Sequence, residues 1–245
     1  MRDASSSSRL RRINWTIWPL IIALSFFMAI MSFYLMIQAG RLLGVQLPIQ
    51  GATASLAVSV VVYVLTLGYI FLAAKVFNIK ISATDTGVQR ALSWQDIGLG
   101  LGGFVIYAAV ATALMEIAKL LLAPGVINQP QDIGFTAVYG VERVLAFMVL
   151  VVVAPIIEEV IFRGILYGKL RQSTLPRWAA IGITSLLFAL AHGQLNVGID
   201  VFVLSVMACL LRDATGSVWS AVMLHMIKNG ITFYVLFVAQ NSALQ

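Results

Sequence analysis

Pro155-Ile156-Ile157-Glu158-Glu159-Val160-Ile161-Phe162-Arg163 sets two adjacent carboxylates and an arginine into a segment that is otherwise hydrocarbon-soluble. The run before it, residues 144–153, is wholly apolar. An ionised side chain at mid-bilayer costs roughly 2.5–3.5 kcal/mol on insertion scales, so buried acids of this kind mark a functional site facing the bundle interior. Glu159 and Arg163 are one helical turn apart and share a face, which predicts a neutralising, structural ion pair. Glu158 lies about 100° round the helix and is left to face a cavity. Pro155 removes one ladder hydrogen bond beside the carboxylates and permits a kink there.

The rest of the chain agrees with a membrane setting. Of its 245 residues, 60% are hydrophobic and 11% charged; soluble domains carry about 25% charged residues. The fold class that follows is an all-α polytopic membrane protein. The net charge of +6 would suggest a nucleic-acid partner in a soluble protein. Here the cytoplasmic-loop bias of membrane proteins accounts for it, and no nucleic-acid partner is expected. The single cysteine, Cys209, excludes an internal disulfide and a cysteine-cluster metal site.

Working outward, hydropathy predicts seven spans, over residues 15–37, 52–77, 97–123, 140–170, 175–192, 197–211 and 217–239, with room for an extra interfacial or re-entrant helix. Residues 1–14 read as a basic cytoplasmic tail, disordered to about Arg9. The chain reads as one bundle, in which residues 15–137 form the N-terminal transmembrane helices and 138–240 the core that carries the polar motifs. Pro48, Pro130 and Asp132 fall in connections. Gly98, Gly100, Gly102 and Gly103 open the third span and read as close helix packing, not as a nucleotide loop, since no strand precedes them. Lysines and arginines gather in the tail, after span two (Lys75, Lys80, Arg90), after span four (Lys169, Arg171, Arg177) and after span six (Arg212). That alternation puts the N-terminus in the cytoplasm. The expected location is a bacterial inner or plasma membrane, with the lipid bilayer itself as a partner.

The chain has two histidines, and both lie in apolar helices: His192, ending Phe188-Ala-Leu-Ala-His192, and His225, opening His225-Met-Ile-Lys-Asn229. Helical rise from the basic anchors gives roughly 20 Å from Arg171 to Glu158, 22 Å from Arg177 to His192 and 20 Å from Arg212 to His225. Three helices thus bring polar groups to one depth. Glu158 is then a base, with His192, His225 and Asn229 opposite. Lys228 reads as a pairing residue. Asp200 reads as a group at the outer mouth or simply solvated, and Glu116–Lys119 as a surface pair.

These motifs resemble the CPBP family of intramembrane proteases, which includes type II CAAX prenyl endopeptidases and the bacteriocin-processing and immunity proteins called Abi. The family pattern is Glu-Glu-x-x-x-Arg, then Phe-x-x-x-His, then His-x-x-x-Asn; here it falls on Glu158 to Arg163, Phe188 to His192 and His225 to Asn229. The connector Thr215-Gly216-Ser217-Val218-Trp219 is also similar to the family's approach to its last histidine. The resemblance covers about residues 140–235, and no motif residue departs from the pattern. It implies an intramembrane endopeptidase acting on membrane-associated or lipidated proteins and peptides. Carried over residue by residue, Glu158 is the general base, His192 helps to hold and activate water, and His225 and Asn229 serve the tetrahedral intermediate.

The resemblance also raises the question of a metalloprotease. Glu158, His192 and His225 would give zinc three ligands and an open fourth position. Against this, there is no His-Glu-x-x-His helix, and a liganding Glu158 would leave the base elsewhere. Both readings stand at this point. Two rivals to proteolysis also fit the residues: a non-catalytic membrane scaffold or immunity protein, and a proton-coupled transporter using the same carboxylates.

Overall fold

The computed structural model describes residues 4–45, 51–129, 131, 134–135 and 137–239, with side chains from Ile17 onward. Pro48, Pro130, Asp132 and the side chains of Arg9, Arg11 and Arg12 lie outside the described residues. The described residues form helices and no strands. In chain order these are α1 (Ala4–Leu42), α2 (Ala52–Val76), α3 (Ala83–Thr86), α4 (Trp94–Leu121), α5 (Pro124–Ile127), α6 (Gly140–Arg171), α7 (Arg177–Leu190), α8 (Leu195–Thr215) and α9 (Trp219–Ala239). Helix already runs from Ala4, where the sequence predicts a disordered tail to about Arg9.

The protein is an all-α membrane protein. Six of its helices are long and apolar enough to cross a bilayer: Ile17–Leu42 within α1, then α2, α4, α6, α8 and α9. The span expected at 175–192 is the 14-residue helix α7. Pro176 caps its start and the chain turns at Gly193, with φ +69°, so it stays short of the roughly 20 residues a span needs. The described residues therefore hold six full-length spans and one short apolar helix.

Helix α6 is not uniform. Two π-helical stretches, Met148–Val153 and Val160–Leu166, flank the α-helical turn Ala154–Glu159 that carries the acids. Widened turns of this kind are rare and concentrate at functional sites.

The contacts divide the chain into two units. The first comprises Met1–Pro19, Ser82–Gln131 and Glu158–Lys228. Its core joins Tyr107, Phe188, Val201, Leu204, Ala208 and Leu224. Helix α4 packs closely through two of its four glycines. A Cβ at Gly100 would lie 2.6 Å from that of Met223, and one at Gly103 would lie 3.0 Å from a Leu211 methyl, while Gly98 and Gly102 face open space.

A polar clasp closes one end of this unit. Ser82 and Ser93 each form a capping box, with Asp85 and Asp96 respectively, so both acids start helices. Each then reaches a distant helix. Asp85 accepts from Lys169 Nζ at 2.8 Å and from Gln172 Nε2 at 2.7 Å. Asp96 pairs with Arg90 and accepts from Ser220 Oγ at 2.7 Å. Between the caps, the carbonyl of Gly87 accepts from Ser217 Oγ and the Val218 N–H, and Trp219 Nε1 donates to the Arg90 carbonyl at 2.6 Å. Gly87 sits at φ +73°, and a Cβ there would meet Val218 at 2.7 Å, so glycine fits both the turn and the approach. Arg90, Lys169 and Arg212, one from each of three basic connections, thus meet at one end of the unit.

The second unit comprises Leu20–Ile81, Asp132–Ile157 and Asn229–Gln245. Its core holds Leu56, Val138, Ala146, Val151, Phe233 and Phe237. Thr53 Oγ1 donates to Glu142 at 2.9 Å, and Ser32 and Tyr69 share a hydrogen bond of 2.6 Å.

Candidate active site

Helix α6 delivers Glu158, Glu159 and Arg163, the last on its second π-helical stretch. Glu159 and Arg163 are fully buried, and Arg163 Nη1 donates to Glu159 Oε1 at 2.8 Å. The guanidinium also lies 4.4 Å over the ring of Phe188, a cation–π contact that satisfies its face. The ion pair expected from the sequence is present.

The pair is not closed on itself. His225 Nδ1 lies 2.9 Å from the same Glu159 Oε1. A carboxylate ionised against arginine can only accept, so Nδ1 carries the proton and donates. That leaves Nε2 on the opposite edge of the ring, 3.8 Å from Glu158 Oε2. The two acids leave α6 in different directions, yet one imidazole lies between them. The sequence reading placed His225 opposite Glu158 alone, and the structure adds Glu159 as the group that fixes its ring. The two acids differ in access: the side chain of Glu158 is 14% exposed and that of Glu159 0%.

His192 follows the end of α7. Its Nδ1 lies 2.8 Å from the Phe188 carbonyl, one of the acceptors that a helix C-terminus leaves open, so Nδ1 donates and Nε2 remains for other use. Phe188 is the platform of the site. Its ring packs edge-on against Phe162 and His192 at 4.9 Å and against His225 at 5.9 Å. The sequence reading gave Phe188 no role of its own. Its place one turn before His192, on the same helical face, was the available signal.

Asn229 lies one turn beyond His225 on α9, in the second unit. There its Nδ2 donates to the Leu150 carbonyl at 2.9 Å. Lys228 pairs with Asp200, Nζ to Oδ2 3.4 Å, and Tyr107 donates to the other oxygen of Asp200 at 2.5 Å. Asp200 is therefore partnered by Lys228 and Tyr107 while its side chain stays 26% exposed. Glu116 and Lys119 pair on the surface. Beside His192, an apolar groove of about 470 Å³ runs along α7 and α8, lined by Ala189, Gly193, Gly198 and Phe202 among others.

The donor types at Glu158, His192 and His225 suit zinc. Among the described residues no group of three His, Cys, Asp or Glu side chains is placed to hold a metal ion. His225 Nδ1 is taken by Glu159, which leaves its Nε2 on the side of Glu158, 3.8 Å from Oε2.

A family model described as Type II CAAX prenyl endopeptidase Rce1-like matches residues 139–231. The matched stretch contains both acids, Arg163, both histidines and Asn229. The protein called "Putative membrane peptidase YdiL", of Bacillus subtilis (strain 168), is 29% identical over 102 residues, covering 41% of this chain and 41% of that protein. The match thus spans less than half the length of that curated relative. No solved structure matches the chain.

Proposed function

We propose that this member of the CPBP intramembrane protease family is an endopeptidase that hydrolyses peptide bonds of membrane-associated or lipidated proteins with Glu158 as general base. The observation that carries the proposal is His225 held at Nδ1 by the buried Glu159–Arg163 pair while its Nε2 faces Glu158 across 3.8 Å. That gap is too long for a direct hydrogen bond and suits a bridging water. Glu158 takes a proton from the water as its oxygen attacks the scissile carbonyl. The proton then passes to the leaving nitrogen, the C–N bond breaks, and a new carboxylate and a new amine leave.

His192, anchored through Nδ1, offers Nε2 to the same water. His225 and Asn229, one turn apart on α9, serve the oxyanion of the tetrahedral intermediate; one such donor in a dry site is typically worth roughly 3–4 kcal/mol. The apolar groove beside His192 offers a lateral seat for the hydrocarbon part of a substrate. In this proposal the basic clasp lies at the cytoplasmic face of a bacterial membrane, with the N-terminus on that side, because basic residues favour that face.

The test is cleavage of a membrane-anchored reporter peptide by the purified protein in lipid vesicles. Wild type cleaves; Glu158→Gln and His192→Ala, folded and present at equal amount, do not. Undiminished cleavage by Glu158→Gln would remove the base. No cleavage by any form, together with full biological function of Glu158→Gln, would favour the scaffold or immunity reading. A pH-gradient-driven flux lost in Glu158→Gln, without cleavage, would favour the transporter.

A further inference from the structure

The bond from Asn229 to Leu150 has a cause in the chain itself. The first π-helical stretch of α6, Met148–Val153, closes with the Ala154 N–H on the Val149 carbonyl, five residues back. The next bond in that frame would run from residue 155 to the Leu150 carbonyl. Residue 155 is proline and has no N–H. The Leu150 carbonyl is therefore released from the helix ladder inside an apolar span, where an unpaired polar group is costly. Asn229 Nδ2 fills the missing donor's place at 2.9 Å. The neighbouring glycine, Gly230, faces Val151 of α6, and a Cβ there would stand in ordinary contact with it at 3.6 Å.

We infer that Pro155 is a positioning residue: by withholding its own N–H it reserves the Leu150 carbonyl to hold and orient the Asn229 amide. An amide nitrogen has two protons. One is committed to Leu150, which fixes the plane of the group and the direction of the other. The inference rests on the proposed function only in giving that second N–H a task at the oxyanion. The proline–carbonyl–amide linkage stands on its own geometry.

The test is a double-mutant cycle on the full chain in detergent or lipid, read as both Tm and kinetics. Asn229→Ala in the natural background strands the Leu150 carbonyl and is expected to lower Tm by roughly 5 °C. In Pro155→Ala the restored N–H can serve Leu150, so adding Asn229→Ala is expected to cost less than half as much. An equal loss of Tm in both backgrounds overturns the inference. Pro155→Ser supplies the same N–H if alanine at this position lowers the yield. Asparagine labelled with 15N reads the linkage with no change at 155: one slowly exchanging Asn229 side-chain proton is expected, and two fast ones overturn it. Kinetics separate the two claims. If Asn229 also serves the oxyanion, Asn229→Ala lowers kcat by about 100-fold or more with KM unchanged, in either background. Thermal coupling without that loss leaves the linkage in place and removes the oxyanion role.

Discussion

The clasp and the candidate active site of the first unit are built from the same side chains, carboxylates facing cations, and spend them differently. In the clasp, both oxygens of Asp85 and of Asp96 are occupied: Lys169, Gln172 and Ser82 serve the first, and Arg90, Ser93 and Ser220 the second. In the site, Glu159 Oε1 is shared by Arg163 and His225, while Oε2 and the Nε and Nη2 of Arg163 have no hydrogen-bond partner among the described residues. A buried polar group left short of partners is costly, and such groups persist where a function needs them. The clasp fixes where the ends of α4, α6, α8 and α9 meet. The site uses that rigidity to hold one imidazole between two acids.

The largest effect expected at the site is catalytic. Glu158→Gln should lower cleavage by about 100- to 10,000-fold, the range of general-base removal, at unchanged Tm and yield. Glu159→Gln should act on stability first. Arg163 would lose its buried counter-charge, and breaking such a pair by removing one partner costs about 3–5 kcal/mol. Thermal unfolding of the two variants side by side separates the roles. A stable but inactive Glu159→Gln beside an active Glu158→Gln would exchange them.

Next in size is a steric change between clasp and site. A Cβ at Gly164 would lie 2.3 Å from the Thr86 carbonyl oxygen, where backbone cannot yield. Gly164→Ala is expected to cost about 1–3 kcal/mol by forcing α3 away from α6, and cleavage should fall with it. Unchanged Tm and activity would show that the clasp does not set the position of the acids.

The smallest effect belongs to the clasp alone. Burial would raise the Asp85 carboxyl, but hydrogen bonds from Lys169, the Ser82 backbone and Gln172 outweigh it and hold it down to about 2, below the ordinary 3.8. A folded value below the unfolded one means that this contribution is complete above roughly pH 5 and is lost as pH falls through about 2. Asp85→Asn should therefore lower Tm modestly at neutral pH and leave it nearly unchanged near pH 2. An equal deficit at both values would rule out the charged interactions as its source. Metal dependence is tested separately: activity surviving exhaustive chelation would show a metal-free reaction, and activity lost and restored by zinc would give Glu158, His192 and His225 the role of ligands.

Hydropathy made most of the fold legible, because six stretches are long, apolar and bounded by charge. Residues 175–192 misled it: apolarity alone does not show that Pro176 and Gly193 trim the helix to Arg177–Leu190. At the site, helical rise brings Glu158, His192 and His225 to one depth, and Glu158 and His225 do meet at 3.8 Å. It could not show His225 bridging both acids. The estimate of about 100° per residue assumes an α-helix throughout, and α6 widens on either side of them. The Asn229–Leu150 bond was hidden for the same reason. Pro155 announces an orphan carbonyl, but only the π register identifies it as that of Leu150.

The most direct test of the central claim compares protein N- and C-termini in host membranes carrying wild type or Glu158→Gln at matched abundance. New termini that appear only with wild type are predicted, and they would identify the substrates. Identical termini from two folded, equally abundant proteins would contradict the assignment of Glu158 as the base of a protease.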